Sequence, residues 1–101
     1  MSRYLITPAA EADLIEIWEY IAQDNIEAAD AWGRKLREAI ESVAGRPGMG
    51  HTRKDLTDLQ VLFWPIGAYL IVCRLKNSLV EITAVTHGAR DVPAFLSERE
   101  R

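Results

Sequence analysis

The sequence predicts an α+β domain in the order β-α-α-β-β-β, with an antiparallel α-helical hairpin packed on a mostly antiparallel four-stranded sheet and a short C-terminal helical turn. Helical hydrophobic spacing is confined to residues 8–44, whereas β-prone apolar runs occupy residues 3–7 and 60–87. Because helices and strands are segregated along the chain, the pattern favours a sheet with helices on one face over alternating βαβ units. The 101 residues are expected to form a single domain, 1–101.

Capping residues mark the ends of both helices. Thr7 is the predicted N-cap of the first helix, and Pro8, which has no N–H to leave unsatisfied, is its first residue. Either Asp24 or Asn25 is the predicted N-cap of the second helix, and Gly45 marks its end. With few residues between them, the two helices are expected to form an antiparallel hairpin.

Each helix carries an apolar stripe whose residues recur mainly at steps of three and four. The stripes consist of Ala10, Leu14, Ile17, Trp18 and Ile21 in the first helix, and of Ala29, Trp32, Leu36, Ile40 and Val43 in the second. The acidic residues of the first helix, Asp13 among them, are placed on the remaining arc. Trp18 and Trp32 are interpreted as core anchors.

The stretch from Tyr69 to Asp91 predicts two strands joined by a two-residue turn at Asn77-Ser78. In that register, positions that sum to 155 face each other. The predicted core face then has Tyr69, Ile71, Cys73 and Leu75 over Thr86, Ala84, Ile82 and Val80. The opposite face, where Arg74 stands across from Glu81, is expected to be open.

The flanking segments complete the predicted sheet and its end. Residues 60–64 form the preceding strand, followed by a turn at residues 65–67, where Pro65 either ends the strand or restricts it to pairing on one side. At the end of the chain, residues 92–96 are expected to form one helical turn and residues 97–101 a frayed tail.

Composition and charge restrict the function. The net charge is −3, with 15 acidic and 12 basic residues, so direct DNA binding is not expected. No apolar run is long enough for a membrane span, and no secretory signal is recognised at the N-terminus. Cys73 has no second cysteine to pair with, and His51 lacks neighbours at metal-site spacing. We therefore expect a cytoplasmic protein without a metal or another cofactor.

Five segments together resemble the ParE branch of the RelE/ParE superfamily of toxins in type II toxin–antitoxin systems. They are YLITPAAEADLIEIWEYIAQDN, AADAWGRKL, AGRPGMGHTRKDL, YLIVCR and ITAVTHGARD, and they cover nearly the whole chain in this order. The resemblance implies the same β-α-α-β-β-β fold. It also implies a toxin that binds a target protein, DNA gyrase in ParE-like members, and that a ParD-like antitoxin neutralises.

The RelE branch implies a different activity, metal-independent cleavage of mRNA on the ribosome. Such cleavage needs a general base, a general acid and cations around the phosphate. The candidate catalytic residues are Arg74, Glu81, His87 and Arg90. Arg53 and Lys54 could reach them from the loop predicted at residues 45–59, which contains three glycines and a proline. An ion pair between Arg74 and Glu81 explains those two residues equally well. The sparse cations favour the non-enzymatic alternative.

The antitoxin is expected to dock mainly through apolar contacts, as a helix or strand beside the helical hairpin. The candidate antitoxin-binding residues are Trp18, Ile21, Trp32, Leu36 and Arg53. Residues 11–30 hold seven acidic residues and no basic one, whereas residues 34–54 hold six basic residues, which could receive acidic residues of the antitoxin. A non-toxic binding module of the same fold is the third alternative.

Overall fold

The structure of the chain is a computed structural model that describes residues 4–46, 50–53, 55, 61–77 and 79–99. Its elements are β1 (Tyr4–Ile6), α1 (Pro8–Ala22), α2 (Ile26–Gly45), β2 (Leu62–Ile66), β3 (Tyr69–Lys76), β4 (Leu79–His87) and α3 (Val92–Arg99). The strand order is β1-β4-β3-β2, with β1 parallel to β4 and the other pairs antiparallel. The predicted α+β fold with a mostly antiparallel sheet is confirmed.

Both helices begin at the predicted caps. The Thr7 hydroxyl accepts a hydrogen bond from the Ala10 N–H at 3.2 Å, and Pro8 is the first residue of α1. Asn25, rather than Asp24, caps α2, and its side-chain oxygen accepts from the Ala28 N–H at 2.9 Å. These bonds satisfy amide groups that the first turn of a helix leaves without a partner.

The main core lies between the helical hairpin and one face of the sheet. It contains Ala10, Leu14, Leu36, Ala39, Ile40, Val43, Tyr69, Ile71, Cys73, Val80, Ile82 and Val85. Trp32 packs on its edge, with its ring 5.3 Å from that of Tyr69. The turn after β2 passes under this ring at Gly67, whose φ of +59° and lack of a Cβ permit the close approach.

The predicted hairpin register is correct next to the turn and wrong beyond a bulge in β4. From Cys73 to Lys76 the partners sum to 155, but a bulge at Thr83 shifts the pairs from Tyr69 to Val72 by one residue. One extra residue turns every later side chain to the other face. Ala84 and Thr86 therefore leave the predicted core face, and Val85 and His87 replace them.

The second face of the sheet is covered over much of its area, contrary to the expectation of an open face. A second apolar cluster lies there, formed by Val61, Phe63, Leu70, Val72, Ala84, Val92 and Leu96. Helix α3 supplies the last two residues and continues to Arg99, so the expected single turn with a frayed tail is wrong for residues 97–99. Residues 100 and 101 lie outside the described part.

Strand β2 continues through Pro65 to Ile66, where a turn had been expected. Pro65 lies opposite Leu70 on the last strand of the sheet order, where its missing N–H interrupts no central ladder. The alternative of pairing on one side is therefore the right one. The predicted start of this strand at Gln60 lies outside the described residues. In the predicted turn between β3 and β4, Ser78 also lies outside them, whereas Asn77 has the positive φ (+50°) typical of a tight turn.

Candidate functional site

Arg74 and Glu81 form an ion pair across β3 and β4. They are direct partners in the ladder, and the Arg74 Nε lies 3.0 Å from the Glu81 Oε1. The Glu81 side chain is nearly buried, whereas that of Arg74 is 44% exposed. The guanidinium therefore neutralises a carboxylate that would otherwise be desolvated without a partner.

His87 lies on the other face of the sheet because of the bulge at Thr83. Its ring packs in a T-shaped arrangement with that of Tyr69, with the ring centres 5.3 Å apart, on the side of the helical hairpin. Its Nδ1 accepts a hydrogen bond from the Ala89 N–H at 3.0 Å, which fixes the ring as part of the turn after β4. The sequence had placed His87 beside Arg74 and Glu81, and the structure corrects this.

Arg90 follows in the same turn, and its guanidinium lies 4.4 Å from the centre of the Phe95 ring. Of the four candidate catalytic residues, only Arg74 and Glu81 contact each other through their side chains in the described part of the chain. His87 packs against Tyr69, and Arg90 stacks on Phe95 of α3. Cleavage of RNA at one phosphate requires the acid, the base and the cations to converge on it. This arrangement does not bring them together.

The loop candidates are also separate from these residues. Arg53 forms two parallel hydrogen bonds with Asp55, at 2.9 and 2.8 Å. The hydrogen bonds from Arg53 hold the pKa of Asp55 below its ordinary value, and those same bonds raise the pKa of Arg53. Lys54 lies outside the described residues.

A cleft of about 610 Å³ lies between α1 and the end of β4. Its walls include Glu16, Ile17, Tyr20, Tyr69, His87 and Arg90. Burial raises the pKa of Tyr69, and the neighbouring Tyr20 adds to the shift, so the Tyr69 hydroxyl is neutral at pH 7. The cleft therefore combines aromatic walls with hydrogen-bonding groups, a mixture typical of recognition sites.

Sequence reasoning missed the two residues that fix this end of the sheet. The buried carboxylate of Asp13 accepts from the Val85 N–H at 3.0 Å and from Arg99 at 2.8 and 3.0 Å. Arg99 also donates to the Thr83 C=O at 2.9 Å. Spacing could have identified Asp13, since it lies three residues after Ala10 and four before Ile17, on the apolar stripe of α1.

The outer surface of the helical hairpin has a small apolar depression of about 160 Å³, bordered by Ile15, Trp18 and Gly33. Trp18 is 37% exposed and donates its indole N–H to Asp30 at 2.9 Å, so it bridges the two helices and is not the predicted core anchor. Ile15 is 51% exposed. Exposed apolar side chains beside a depression are typical of a protein-binding surface.

The candidate antitoxin-binding residues occupy several places. Trp18 lies at the outer depression, Ile21 is half-buried, and Leu36 lies inside the core. Trp32 lies on the opposite flank, with the Lys35 ammonium 4.7 Å from its ring centre. Arg53 lies on the exposed loop. They do not form one continuous surface, so a partner that contacts several of them would have to wrap around the hairpin.

Within the described ranges, none of the helices is both long enough and apolar enough to cross a bilayer. Similarly, the described His, Cys, Asp and Glu side chains form no group of three that could hold a metal ion.

Comparison with known proteins identifies the family. The sequence-family model described as the ParE toxin of the type II toxin–antitoxin system parDE matches residues 4–92. Toxin ParE1 of Caulobacter vibrioides is 31% identical over 93 residues, which cover 83% of this chain and 97% of the relative. Toxin ParE1 of Mycobacterium tuberculosis is 40% identical over 56 residues, which cover 54% of this chain and 57% of that protein.

A solved structure has the same fold. The chromosomal ParDE toxin–antitoxin system from P. aeruginosa contains a chain that superimposes with a TM-score of 0.72 at 19% identity, covering 86% of this chain and 96% of that one. The family model spans everything from β1 to the first residue of α3. The chain therefore belongs to the ParE toxin family of type II toxin–antitoxin systems.

Proposed function

We propose that this toxin acts by binding a target protein, with DNA gyrase as the first candidate, and that a ParD-like antitoxin neutralises it. The observation that supports a binding mode over cleavage of RNA is the separation of the candidate catalytic residues. Arg74 and Glu81 satisfy each other on one face, whereas His87 lies on the other. The resemblance to the ParE branch, which implies gyrase as the target, supports the choice of this candidate.

The outer depression of the helical hairpin supports a protein partner. Ile15 and Trp18 expose apolar surface there, and Gly33 leaves room for a side chain from outside. An amphipathic helix of the antitoxin fits such a surface, because it can bury these apolar groups while its polar face stays in water. The Ile15→Asp variant should therefore weaken antitoxin binding by roughly tenfold or more. Ile26→Asp, at a similarly exposed site away from the depression, serves as the matched control.

Supercoiling by purified gyrase tests the target. The toxin should inhibit supercoiling when it is in excess, and addition of the antitoxin should restore it. Unchanged supercoiling at a large excess of folded toxin would reject gyrase as the target.

Expression in cells separates binding from the RNase alternative and from a non-toxic module. Growth arrest with intact mRNA is expected, and it should persist in Arg74→Ala as long as this variant, which leaves the Glu81 carboxylate without its ion pair, is folded. Codon-phased mRNA cuts that vanish in Arg74→Ala or in His87→Ala would establish the nuclease instead. Normal growth at high expression of folded protein would favour the non-toxic module.

A further inference from the structure

One edge of β4 is only half paired. β1 lies beside Val80, Glu81 and Ile82, and the last bond of this pair runs from the Thr7 N–H to the Ile82 C=O at 3.0 Å. The chain then turns into α1. In the described part of the molecule, residues 83–87 of β4 therefore have β3 on one side and no strand on the other.

The ladder with β3 determines which backbone groups point to this free edge. The Gly88 N–H donates to the Ala68 C=O at 2.7 Å, which makes this a hydrogen-bonded position of the ladder. Hydrogen-bonded and non-hydrogen-bonded pairs alternate along antiparallel strands. His87 and Val85 lie opposite Tyr69 and Ile71. The backbone N–H and C=O groups of His87 and of Val85, four groups in all, are therefore directed away from β3.

Two of these four outward groups already have partners. Asp13 accepts from the Val85 N–H at 3.0 Å, and the His87 C=O accepts from the Arg90 N–H at 3.1 Å. The Val85 C=O and the His87 N–H have no backbone partner among the described residues. They are spaced as the acceptor and donor of a strand edge that awaits a neighbour.

The same edge opens into the cleft of about 610 Å³, which has Val85, Thr86 and His87 in its wall. The Thr86 hydroxyl is buried and has no hydrogen-bond partner within the described ranges. A second cavity of about 400 Å³ between α1 and α3 shares Glu16 and Arg90 with the cleft. Asp13 lines both as well, so the two cavities adjoin and form one slot along α1.

We propose that an extended segment of the antitoxin adds to this edge as a short strand. One of its N–H groups donates to the Val85 C=O, and one of its C=O groups accepts from the His87 N–H. An apolar side chain of the segment enters between Tyr20 and Tyr69, and a basic side chain faces Glu16. The inference rests on the proposed function, since it names a docking site of the antitoxin.

Charge and hydrogen bonding favour an extended segment over a helix of the antitoxin at this edge. A helix uses its own backbone groups internally and would leave the two edge groups without partners, whereas a strand satisfies them. Glu16 and Glu19 are exposed on α1 and form no ion pair among the described residues, so they favour a basic side chain. Arg90, which lines both cavities, favours an acidic one.

A matched pair of variants isolates the backbone bond. His87→Pro removes the outward N–H, and His87→Ala keeps it, while both lose the same imidazole contacts. Because this N–H takes no part in the ladder with β3, proline is tolerated there as on an edge strand. In calorimetric titration with the full antitoxin, His87→Pro should bind about tenfold more weakly than His87→Ala. Equal affinity within about twofold would overturn the inference.

Hydrogen exchange in the unmutated complex tests the same bond without a variant. The His87 amide should exchange at least about tenfold more slowly in the complex with the antitoxin than in the free toxin. An unchanged rate in a complex that does form would reject the strand while leaving the proposed function intact. Failure of the two proteins to form any complex would reject the proposed antitoxin pairing and this inference with it.

Discussion

Removal of the Asp13 carboxylate should destabilise the protein far more than removal of any exposed acid on the same helix. Asp13 is 6% exposed, and its two oxygens accept one hydrogen bond from the Val85 N–H and two from Arg99. The Asp13→Ala variant leaves the Val85 amide without a partner in a buried place. It also leaves the Arg99 guanidinium, which is only 24% exposed, without its counter-charge.

The magnitude follows from these two losses. An unsatisfied buried amide costs about 1–3 kcal/mol. Breaking a buried ion pair costs about 3–5 kcal/mol when the remaining charge stays buried, and less here because Arg99 can turn towards water. We expect Asp13→Ala to lower the free energy of unfolding by about 3 kcal/mol, a large part of the total stability of a typical domain.

Urea unfolding of a double-mutant cycle measures the coupling. Asp13→Ala, Arg99→Ala and the double variant should give an interaction energy of about 1.5–3 kcal/mol. The control is Glu11→Ala, also on α1, which breaks an exposed ion pair with Arg37 and should cost less than about 1 kcal/mol. A coupling below about 0.5 kcal/mol, or an equal cost for Glu11→Ala, would refute the role of Asp13.

Three further changes test other parts of the fold by urea unfolding. Gly67→Ala should cost about 2 kcal/mol, because φ is +59° and the new Cβ would meet the Trp32 ring at 2.7 Å; Gly33→Ala, with 3.9 Å of clearance, should be neutral or stabilising. Leu96→Ala should cost about 2–4 kcal/mol if α3 is part of the core, and a cost near zero would show that it is not. Burial raises the pKa of the Cys73 thiol from 9.0 to about 11, so the folded state holds its proton to higher pH than the unfolded state. Stability should therefore fall between these values, by about 2 kcal/mol at about pH 10.5, and Cys73→Ala should show a correspondingly smaller fall.

Local chemistry explains why the elements were predictable. Thr7 followed by Pro8, and Asn25 before an apolar stripe, are residue types that a helix start requires, and both lie at caps. Asn77 adopts the positive φ that a two-residue hairpin needs. These preferences act within a few residues and do not depend on what the element later packs against.

The bulge at Thr83 was not predictable for the opposite reason. Residues 82–86 read Ile-Thr-Ala-Val-Thr, so either register places apolar and small side chains on the core face. A slip by one residue normally moves an apolar set into solvent, which is how a register is recognised. Here both faces are apolar, since α3 covers the second one. Which register β4 adopts therefore depends on contacts made by residues far away in sequence.

The bulge at Thr83 also separates His87 from the other residues of the predicted catalytic site. A regular ladder would place His87 on the face of Arg74 and Glu81, and with it a plausible acid, base and cation. Asp13 was missed because a charged residue was assigned to the exposed arc, although its spacing places it on the buried stripe. The spacing places Trp18 on the buried stripe of the first helix, whereas its indole N–H donates to Asp30 at the surface.

The bulge also connects the stability of the fold to the cleft. The extra residue of a bulge is left outside the regular ladder. Here the Thr83 C=O accepts from Arg99, and the Thr83 hydroxyl donates to the Val72 C=O at 3.3 Å. Asp13 holds Arg99 and the next outward amide, that of Val85, at the same time. The Asp13–Arg99 pair therefore stabilises the register that turns His87 towards the cleft, and loss of the pair should loosen the β4 edge before it unfolds the core.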